Sequence, residues 1–181
     1  MATPEVLTIG HSTRSFDEFL ALLREHQVTT LVDVRRFPGS RRHPQFNAPV
    51  LARALEEAGI AYVHEPDLGG HREPRADSPN TAWRLASFRG YADHMAGTAF
   101  RDALERLRAR AARERPAVMC AEAVPWRCHR QLISDALVAT GTPVRHVLGP
   151  GPARAHEKNP GARLGADGVL VYPAAATARL F

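Results

Sequence analysis

The stretch VLTIGHSTRSFDEFLALLREHQVTTLVDVRR (6–36) decides the fold. Two short apolar runs, VLTIG (6–10) and TLVDV (30–34), enclose a segment whose apolar residues recur at helical intervals. That segment begins at Ser15 and has Glu18 three residues later, which is the spacing of a capping box at a helix N-terminus. A strand, a helix and a second strand in this order predict a parallel strand–helix–strand unit.

The same alternation continues along the chain. The other segments that predict strands are AYVH (61–64), AVMCA (117–121) and PVRHVL (143–148), and those that predict helices are APVLARALEEAG (48–59), TAFRDALERLRARAA (98–112) and HRQLISDALVATG (129–141). Strands that alternate with helices are typical of a sheet covered by helices on both faces. We therefore expect a Rossmann-like α/β fold of three layers with a mostly parallel five-stranded sheet.

Two segments depart from this alternation. The excursion at 65–97 is longer than ordinary loops, and it either packs down with a short helix or forms a lid over the strand ends. The C-terminal segment ADGVLVYP (166–173), with Asp167-Gly168 as its turn, predicts a hairpin or an edge strand. Because no low-complexity linker interrupts the chain, we interpret 1–181 as a single domain.

The composition favours a cytoplasmic protein with an anionic partner. Hydrophobic residues make up 44% of the 181 residues, and no apolar run approaches the roughly 20 residues that span a bilayer. The N-terminal sequence has no basic stretch followed by an apolar signal region, and two cysteines are too few for a disulfide framework. The formal charge is +5, with 23 arginines and one lysine. We therefore expect no membrane contact and a cytoplasmic location.

Polar residues collect where the predicted strands end. Ligands of a parallel α/β sheet bind beyond the carboxyl ends of its strands, so side chains at these positions meet at one edge. Asp33 stands inside an apolar strand, and a buried carboxylate needs a partner that Arg35 or Arg36 could supply. The residues selected after the first, second and fourth strands are His11, Ser12, Asp33, Arg35, Arg36, Cys120, Glu122, Arg127, Cys128, His129 and Arg130.

The selected residues predict an enzyme that acts on a small anionic or nucleotide-like substrate at this edge. Guanidinium groups bind phosphate and carboxylate through paired hydrogen bonds. The residues expected to bind the substrate are Ser12, Arg35, Arg36, Arg127 and Arg130.

Five side chains are candidates for the chemical steps. His11 or His129 would carry a proton, because imidazole titrates near neutral pH. Cys120 would be the nucleophile or a wall of the pocket. Glu122 and Asp33 would orient the basic groups. A hydrolase or a transferase is the expected reaction class.

The stretch VMCAEAVPWRCHRQLI (118–133) has three interpretations. In the first, Cys120 is a thiolate activated by Arg127, by Arg130 and by the N-terminus of the next helix, as in rhodanese-like sulfurtransferases and cysteine phosphatases. Against this, the loop AEAVPWR (121–127) has no glycine that would let its amides wrap around an oxyanion, and Glu122 would repel an anion.

The second interpretation is a metal site, and the third is a structural turn. The possible metal ligands are Cys120, Cys128 and His129, with His11 and Glu122, although the spacing matches no standard zinc site. In a structural turn, Cys120 would be a small buried residue, and Glu122 would pair with an arginine. The first turn, GHSTRS (10–15), lacks the glycines of a dinucleotide site, and the chain has no P-loop. No organic cofactor is therefore predicted, and a metal stays an open alternative.

The competing hypothesis is a nucleic-acid-binding module without catalysis. The segment RRFPGSRRHPQF (35–46) interleaves arginines with Phe37 and Phe46, a combination that would provide phosphate contacts and base stacking. Such binding would weaken steeply with salt.

Six segments together resemble the domain-of-unknown-function 488 family. They are LTIGHSTRSFDEFLALL (7–23), LVDVRRFPGSRRHPQFN (31–47), AGIAYVHEPDLGG (58–70), SFRGYADHM (87–95), VMCAEAVPWRCHRQLISDAL (118–137) and GVLVYP (168–173). The family's characteristic stretches correspond here to GHS, DVR, PQF, CAE and CHR, most of them at the strand ends selected above. The resemblance implies a cytoplasmic bacterial α/β domain and carries no settled reaction.

Overall fold

The computed structural model of the protein describes residues 3–175, and a six-stranded sheet forms its centre. The strands are β1 (Val6–Gly10), β2 (Thr30–Asp33), β3 (Ala61–His64), β4 (Pro116–Cys120), β5 (Val144–Val147) and β6 (Arg154–Ala155). They lie in the order β3-β2-β4-β1-β5-β6, with β1 to β5 parallel and β6 antiparallel to β5. The predicted α/β fold with a mostly parallel sheet is confirmed. The sequence did not predict β6, because two exposed residues carry no apolar pattern.

Five α-helices lie within the described residues. They are α1 (Phe16–Glu25), α2 (Ala48–Glu57), α3 (Ala86–His94), α4 (Thr98–Ala111) and α5 (Arg130–Ala139). The predicted capping box starts α1: the Ser15 hydroxyl accepts a hydrogen bond from the Glu18 N–H, and the Glu18 carboxylate accepts one from the Ser15 N–H. Within residues 3–175, no helix combines the length and the apolar composition needed to cross a membrane.

The helices cover both faces of the sheet, because successive strand residues point to opposite sides. One face carries α1 and α2, and its buried side chains include Leu7, Ile9, Phe19, Leu23 and Leu51. The other face carries α3, α4 and α5, and its buried side chains include Val32, Tyr91, Phe100, Val118 and Leu132. The three predicted layers are therefore present.

The C-terminal segment forms a hairpin apart from the main sheet, as one of the two predicted alternatives. Its strands are β7 (Arg163–Leu164) and β8 (Leu170–Val171). Gly168 in the connecting turn has a φ of 78°, a left-handed conformation that suits glycine. The hydroxyl of Tyr172 donates to the buried carboxylate of Asp135 at 2.8 Å, and this contact attaches the hairpin to α5.

The excursion at 65–97 is folded around buried contacts of its own. It contains a 3-10 turn (Pro66–Leu68) followed later by α3. The buried Tyr91 donates from its hydroxyl to a carbonyl of that turn at 2.7 Å. The buried Asp93 carboxylate accepts a hydrogen bond from the Asn80 amide at 2.8 Å. These contacts hold the parts of the excursion together.

The strand order brings three strand ends together. Because β4 lies between β2 and β1, the end of β4 has a neighbour on each side: Met119 pairs with Asp33 of β2, and Cys120 pairs with Gly10 of β1. The pairing continues past β1, where the His11 N–H donates to the Cys120 carbonyl at 2.9 Å. The residues that follow these three strands therefore share one edge, where ligands of parallel α/β sheets bind.

Candidate active site

A pocket of about 550 Å³ opens at this edge of the sheet. Most of the residues selected from the sequence line it, and they are His11, Arg35, Arg36, Cys120, Glu122, Arg127, Cys128 and His129. Ser12, Asp33 and Arg130 do not line it. Ser12 stands in a left-handed turn with a φ of 49°, and it lies beside the pocket rather than in its wall.

Two walls of the pocket were not predicted. The loop after β2 contributes Phe37, Gly39, Ser40 and His43, and the excursion contributes Gly70, His71, Leu85, Ser87, Phe88 and Tyr91. His43 and His71 do not follow a strand end, so the sequence did not single them out. They lie within long loops, where the length of the loop was the one sequence signal.

Two cysteines on the floor of the pocket contact one arginine beneath them, and we call the three residues the sulfur cluster (Cys120, Cys128 and Arg130). The two sulfur atoms lie 3.2 Å apart. The Nε of Arg130 lies 3.0 Å from the Cys120 sulfur and 3.2 Å from the Cys128 sulfur. The cluster joins the end of β4, the turn before α5 and the first residue of α5.

Arg130 is completely buried, with 0% of its surface exposed. Besides the two sulfurs, it donates to the Glu122 carbonyl and, at 3.4 Å, to the Thr8 hydroxyl. None of the ion pairs among residues 3–175 includes Arg130. A buried guanidinium stays charged and needs an opposite charge nearby. The cysteines are the neighbours that can provide it.

This position corrects the prediction that Arg130 binds the substrate. Its guanidinium lies beneath the cysteines and does not reach the pocket wall. The sequence could not reveal this, because an arginine at the start of a helix is normally exposed.

The two thiols have very different proton affinities. Burial raises the pKa of the Cys128 thiol, but the hydrogen bond from Cys120 and the charge of Arg130 outweigh burial and lower this pKa to about 6. The pKa of the Cys120 thiol lies well above its usual range, because that thiol donates to Cys128, is buried and faces a negative charge. The pair therefore loses one proton by neutral pH and retains the other.

The imidazoles of His11 and His129 are neutral at pH 7. Burial lowers the pKa of each to about 4. The Nδ1–H of His11 donates to the Ser12 carbonyl at 2.9 Å, and the ring stacks on Phe46. The Nε2–H of His129 donates to the Val34 carbonyl at 3.2 Å. The expectation that either ring titrates near neutral pH is wrong, because burial penalises the charged form.

Arg35 is held by the carboxylate of Asp33. Oδ1 of Asp33 accepts from Nε at 2.9 Å, and Oδ2 accepts from Nη2 at 2.6 Å. The Tyr62 hydroxyl donates to the same carboxylate at 2.6 Å, and Arg35 donates to the Phe46 carbonyl at 2.7 Å. The expected partner of the carboxylate in β2 is therefore Arg35 and not Arg36.

The mouth of the pocket carries exposed charges. Arg36 donates to the His71 carbonyl at 2.6 Å, and this contact joins the loop after β2 to the excursion. Arg127 ends the turn before α5, and its side chain is exposed. Glu122, also exposed, provides one opposing carboxylate. With two guanidinium groups and one carboxylate, the mouth of the pocket has a net positive charge, which attracts anions.

Gly10 allows the loop after β4 to approach β1 closely. A Cβ atom at this position would lie 1.7 Å from the carbonyl oxygen of Glu122. That oxygen accepts a hydrogen bond from Arg130. A side chain at position 10 would therefore displace an acceptor that positions the sulfur cluster.

Cys120, Cys128 and His129 are not arranged as a metal-ligand set. In the part of the chain that the structure describes, no group of three or more His, Cys, Asp or Glu side chains is placed to hold a metal ion. The Nε2–H of His129 is directed at the Val34 carbonyl, and its Nδ1 faces Gly70.

Comparison with known proteins gives one relationship. The model of a family described as the domain of unknown function DUF488 matches residues 15–137. The matched segment contains Asp33, Arg35 and the complete sulfur cluster. No curated protein and no solved structure matched the chain.

Proposed function

We propose a function from the site itself, because this chain belongs to the DUF488 family, whose shared domain has no assigned function. The proposed function is an enzyme in which a cysteine thiolate on the pocket floor attacks a small anionic substrate. One observation carries the proposal. Arg130 is buried without a carboxylate partner among residues 3–175, and it donates to both sulfurs. A thiolate is the counter-ion that completes this arrangement.

Cys128 is the better nucleophile of the two cysteines. Its sulfur receives hydrogen bonds from the Nε of Arg130 and from the backbone N–H of Arg130 at 3.4 Å. Its pKa, lowered to about 6, leaves it ionised at pH 7. Cys120 is less exposed, at 3% against 7%, and it holds its proton. The nucleophilic role that the sequence suggested for Cys120 is therefore reassigned to Cys128.

Arg36 and Arg127 bind the anionic group of the substrate at the mouth. Arg35 supports them from beneath, with its charge already balanced by Asp33. His43 and His71 are the candidates for proton transfer, since both reach the pocket and the neutral His11 and His129 hold their protons in backbone hydrogen bonds.

The excursion at 65–97 acts in this proposal as the lid. It supplies Leu85 and Phe88 to the pocket wall opposite the sheet edge. Apolar side chains there would exclude water from a bound substrate and strengthen its contacts with the arginines.

Competition between two alkylating reagents tests the proposal. A free thiolate reacts more slowly with anionic iodoacetate than with neutral iodoacetamide. In this protein we expect iodoacetate to react faster, with the label on Cys128 in peptide mass spectrometry. Arg127→Gln should slow iodoacetate by about tenfold and leave iodoacetamide unchanged, because the arginine attracts one reagent and not the other.

The matched control is Arg101→Gln, which removes an exposed arginine from α4 and should change neither rate. Cys128→Ser should abolish labelling at pH 7. Preference for iodoacetamide, or unchanged labelling in Cys128→Ser, would contradict the proposal.

A nucleic-acid-binding module is the second candidate, and the exposed aromatic and basic residues of the loop after β2 favour it. Phe37 is 70% exposed beside Arg41 and Arg42, which are also exposed. Phe46, which the sequence suggested for base stacking, is fully buried against His11, so that part of the hypothesis is wrong. Fluorescence anisotropy with labelled single-stranded RNA and DNA at rising salt tests the candidate. A steep loss of affinity supports it, and absence of binding at low salt removes it.

A further inference from the structure

We propose that Cys120 and Cys128 act together as a dithiol that reduces small anionic disulfides. This inference rests on the proposed function, because it uses the same Cys128 thiolate, and it adds a substrate class and a role for Cys120. The observation that carries it is the contact of the two sulfurs beneath the pocket, 3.2 Å apart.

The two cysteines are placed so that a disulfide requires little movement. A disulfide needs the sulfurs about 2 Å apart, so they must approach by roughly 1 Å. Cys120 is fixed in the sheet, where its carbonyl accepts from the His11 N–H. Cys128 lies outside the sheet, directly after the 3-10 turn (Pro125–Arg127), and has extended backbone. A change in this turn would bring Cys128 to Cys120 without breaking the strand pairing.

The surroundings of the two sulfurs suit them to different steps. One thiol attacks the substrate disulfide, and the other resolves the mixed disulfide that forms. The attacking thiol must be ionised and must face the substrate, whereas the resolving thiol acts later and is protected until then. Cys128 lines the pocket and accepts two hydrogen bonds from Arg130. Cys120 also lines the pocket, but it is the less exposed of the two, at 3% against 7%. Cys128, which is ionised and slightly more exposed, is therefore the thiol that attacks first.

The reaction balances in two exchanges. The Cys128 thiolate attacks one sulfur of the substrate disulfide, forms a mixed disulfide and releases the first substrate thiolate. Cys120 loses its proton to that thiolate or to solvent and attacks the Cys128 sulfur. This second exchange forms the Cys120–Cys128 disulfide and releases the second thiolate. Two electrons pass from the protein to the substrate, and a dithiol reductant returns them in the reverse sense.

Arg130 stabilises the reduced form of the Cys120–Cys128 couple. The dithiol form provides a thiolate beside the buried guanidinium, whereas the disulfide form has no charge and leaves Arg130 without a counter-ion. Stabilisation of the reduced form makes a disulfide more oxidising. The oxidised protein is therefore readily returned to the dithiol, and its substrates are disulfides with good leaving thiolates.

The pocket selects the class of disulfide. Its mouth carries Arg36 and Arg127, which favour carboxylate groups. Phe37 and Leu85, both exposed and both in the pocket wall, offer apolar contact to the body of the substrate. An anionic disulfide with an apolar or aromatic part satisfies both features.

The test uses 5,5′-dithiobis(2-nitrobenzoate), a dianionic aromatic disulfide, with the full chain at pH 7. The wild type should release two aromatic thiolates for each chain and end with no adduct, lighter by two hydrogens, as an internal disulfide requires. Cys120→Ser should release one thiolate and keep one adduct, because no thiol resolves it. Cys128→Ser should lose the fast release. The circular dichroism spectrum and melting temperature of each variant establish that it is folded.

The outcomes separate this inference from the proposed function. Wild-type protein that ends with two adducts overturns the dithiol couple but leaves the Cys128 nucleophile standing. If Cys128→Ser reacts as fast as the wild type, both the dithiol couple and the Cys128 nucleophile are contradicted. The mass of the oxidised wild type needs no variant, so it decides the inference even if a substitution prevents folding.

Discussion

Two buried arginines lie at the edge of the same sheet, and they are neutralised in different ways. Arg35 is held by both oxygens of the Asp33 carboxylate. Arg130 contacts the sulfurs of Cys120 and Cys128 instead. A carboxylate is ionised throughout the neutral range, whereas a thiol is ionised only when its surroundings lower its pKa. The charge that balances Arg35 is therefore permanent, and the charge that balances Arg130 is conditional.

This difference separates a structural element from a reactive one. The Arg35–Asp33 pair joins β2 to the loop before α2 through the Phe46 carbonyl, and it does not change during chemistry. The sulfur cluster loses its negative charge when Cys128 is protonated, alkylated or oxidised. The Cys128 thiolate loses its charge when it reacts. Arg130 stabilises the thiolate before the reaction and favours its return afterwards.

The largest expected effect comes from removal of the permanent charge. Asp33→Asn should lower the free energy of unfolding by about 3–5 kcal/mol, because it leaves the Arg35 guanidinium buried without a counter-ion. Urea denaturation at pH 7 measures the change. The matched control is Glu57→Gln, which breaks the exposed pair with Arg53 and should cost about 0.5 kcal/mol or less. A cost for Asp33→Asn no larger than that of the control would refute the role of the pair.

The next-largest effect is expected at Gly10, next to the carbonyl that positions Arg130. Gly10→Ala should destabilise the fold by about 1–3 kcal/mol, because the new methyl group must displace the backbone near the Glu122 carbonyl. It should also slow iodoacetate labelling of Cys128, since that carbonyl holds Arg130. Gly149→Ala is the control, because a Cβ there meets no atom within 4 Å. Equal stability and equal labelling in the two variants would show that the close approach is unimportant.

A smaller effect should appear in how stability depends on pH. The pKa of Cys128 is about 6 in the folded protein and about 8.5 in an unfolded chain, so ionisation stabilises the fold above pH 8.5, and this gain is lost as the pH falls through 6. The stability difference between the wild type and Cys128→Ser should therefore grow by about 2 kcal/mol from pH 5 to pH 8.

Other groups near Cys128 do not reverse that sign. The raised pKa of Cys120 removes stability only above the ordinary thiol range, and the pKa of the buried Tyr91 is raised well above its usual value. The pKa of His129 is lowered to about 4, so its protonation in the unfolded chain also reduces stability as the pH falls, with the same sign and in both proteins. Urea denaturation of both proteins at several pH values measures the difference. A constant difference would mean that Cys128 does not ionise in this range.

Most of the fold could be predicted because most of its elements have a local signal in the sequence. The capping box at Ser15, the apolar strands and Gly168 in the turn of the hairpin all act within a few residues of the chain. The two residues of β6 form a strand through pairing with β5 and carry no pattern of their own. Strand pairing of that kind depends on tertiary contacts, which a local pattern does not contain.

The candidate site could be predicted only where the sequence has a local signal. The carboxylate of Asp33 inside an apolar strand requires a partner, and the sequence offered Arg35 and Arg36 as the two candidates. The sequence suggested that Arg130 acts on the Cys120 thiol, but the burial of Arg130 depends on how α5 meets the end of β4, which no local pattern contains. The lowered pKa of His11 and His129 likewise follows from burial, which residue type does not reveal.

The proposed chemistry requires that the pair of cysteines holds one thiolate at neutral pH beside Arg130. A pH titration of the ultraviolet absorbance of the thiolate measures this charge when it is recorded for the wild type and for the double variant Cys120→Ser/Cys128→Ser, which has no thiol. The wild type should gain the absorbance of one thiolate in a transition near pH 6, and the double variant should lack this transition. If no thiolate forms in the wild type until the pH reaches about 8.5, the ordinary value for cysteine, the pair holds no thiolate at neutral pH and the proposed chemistry is wrong.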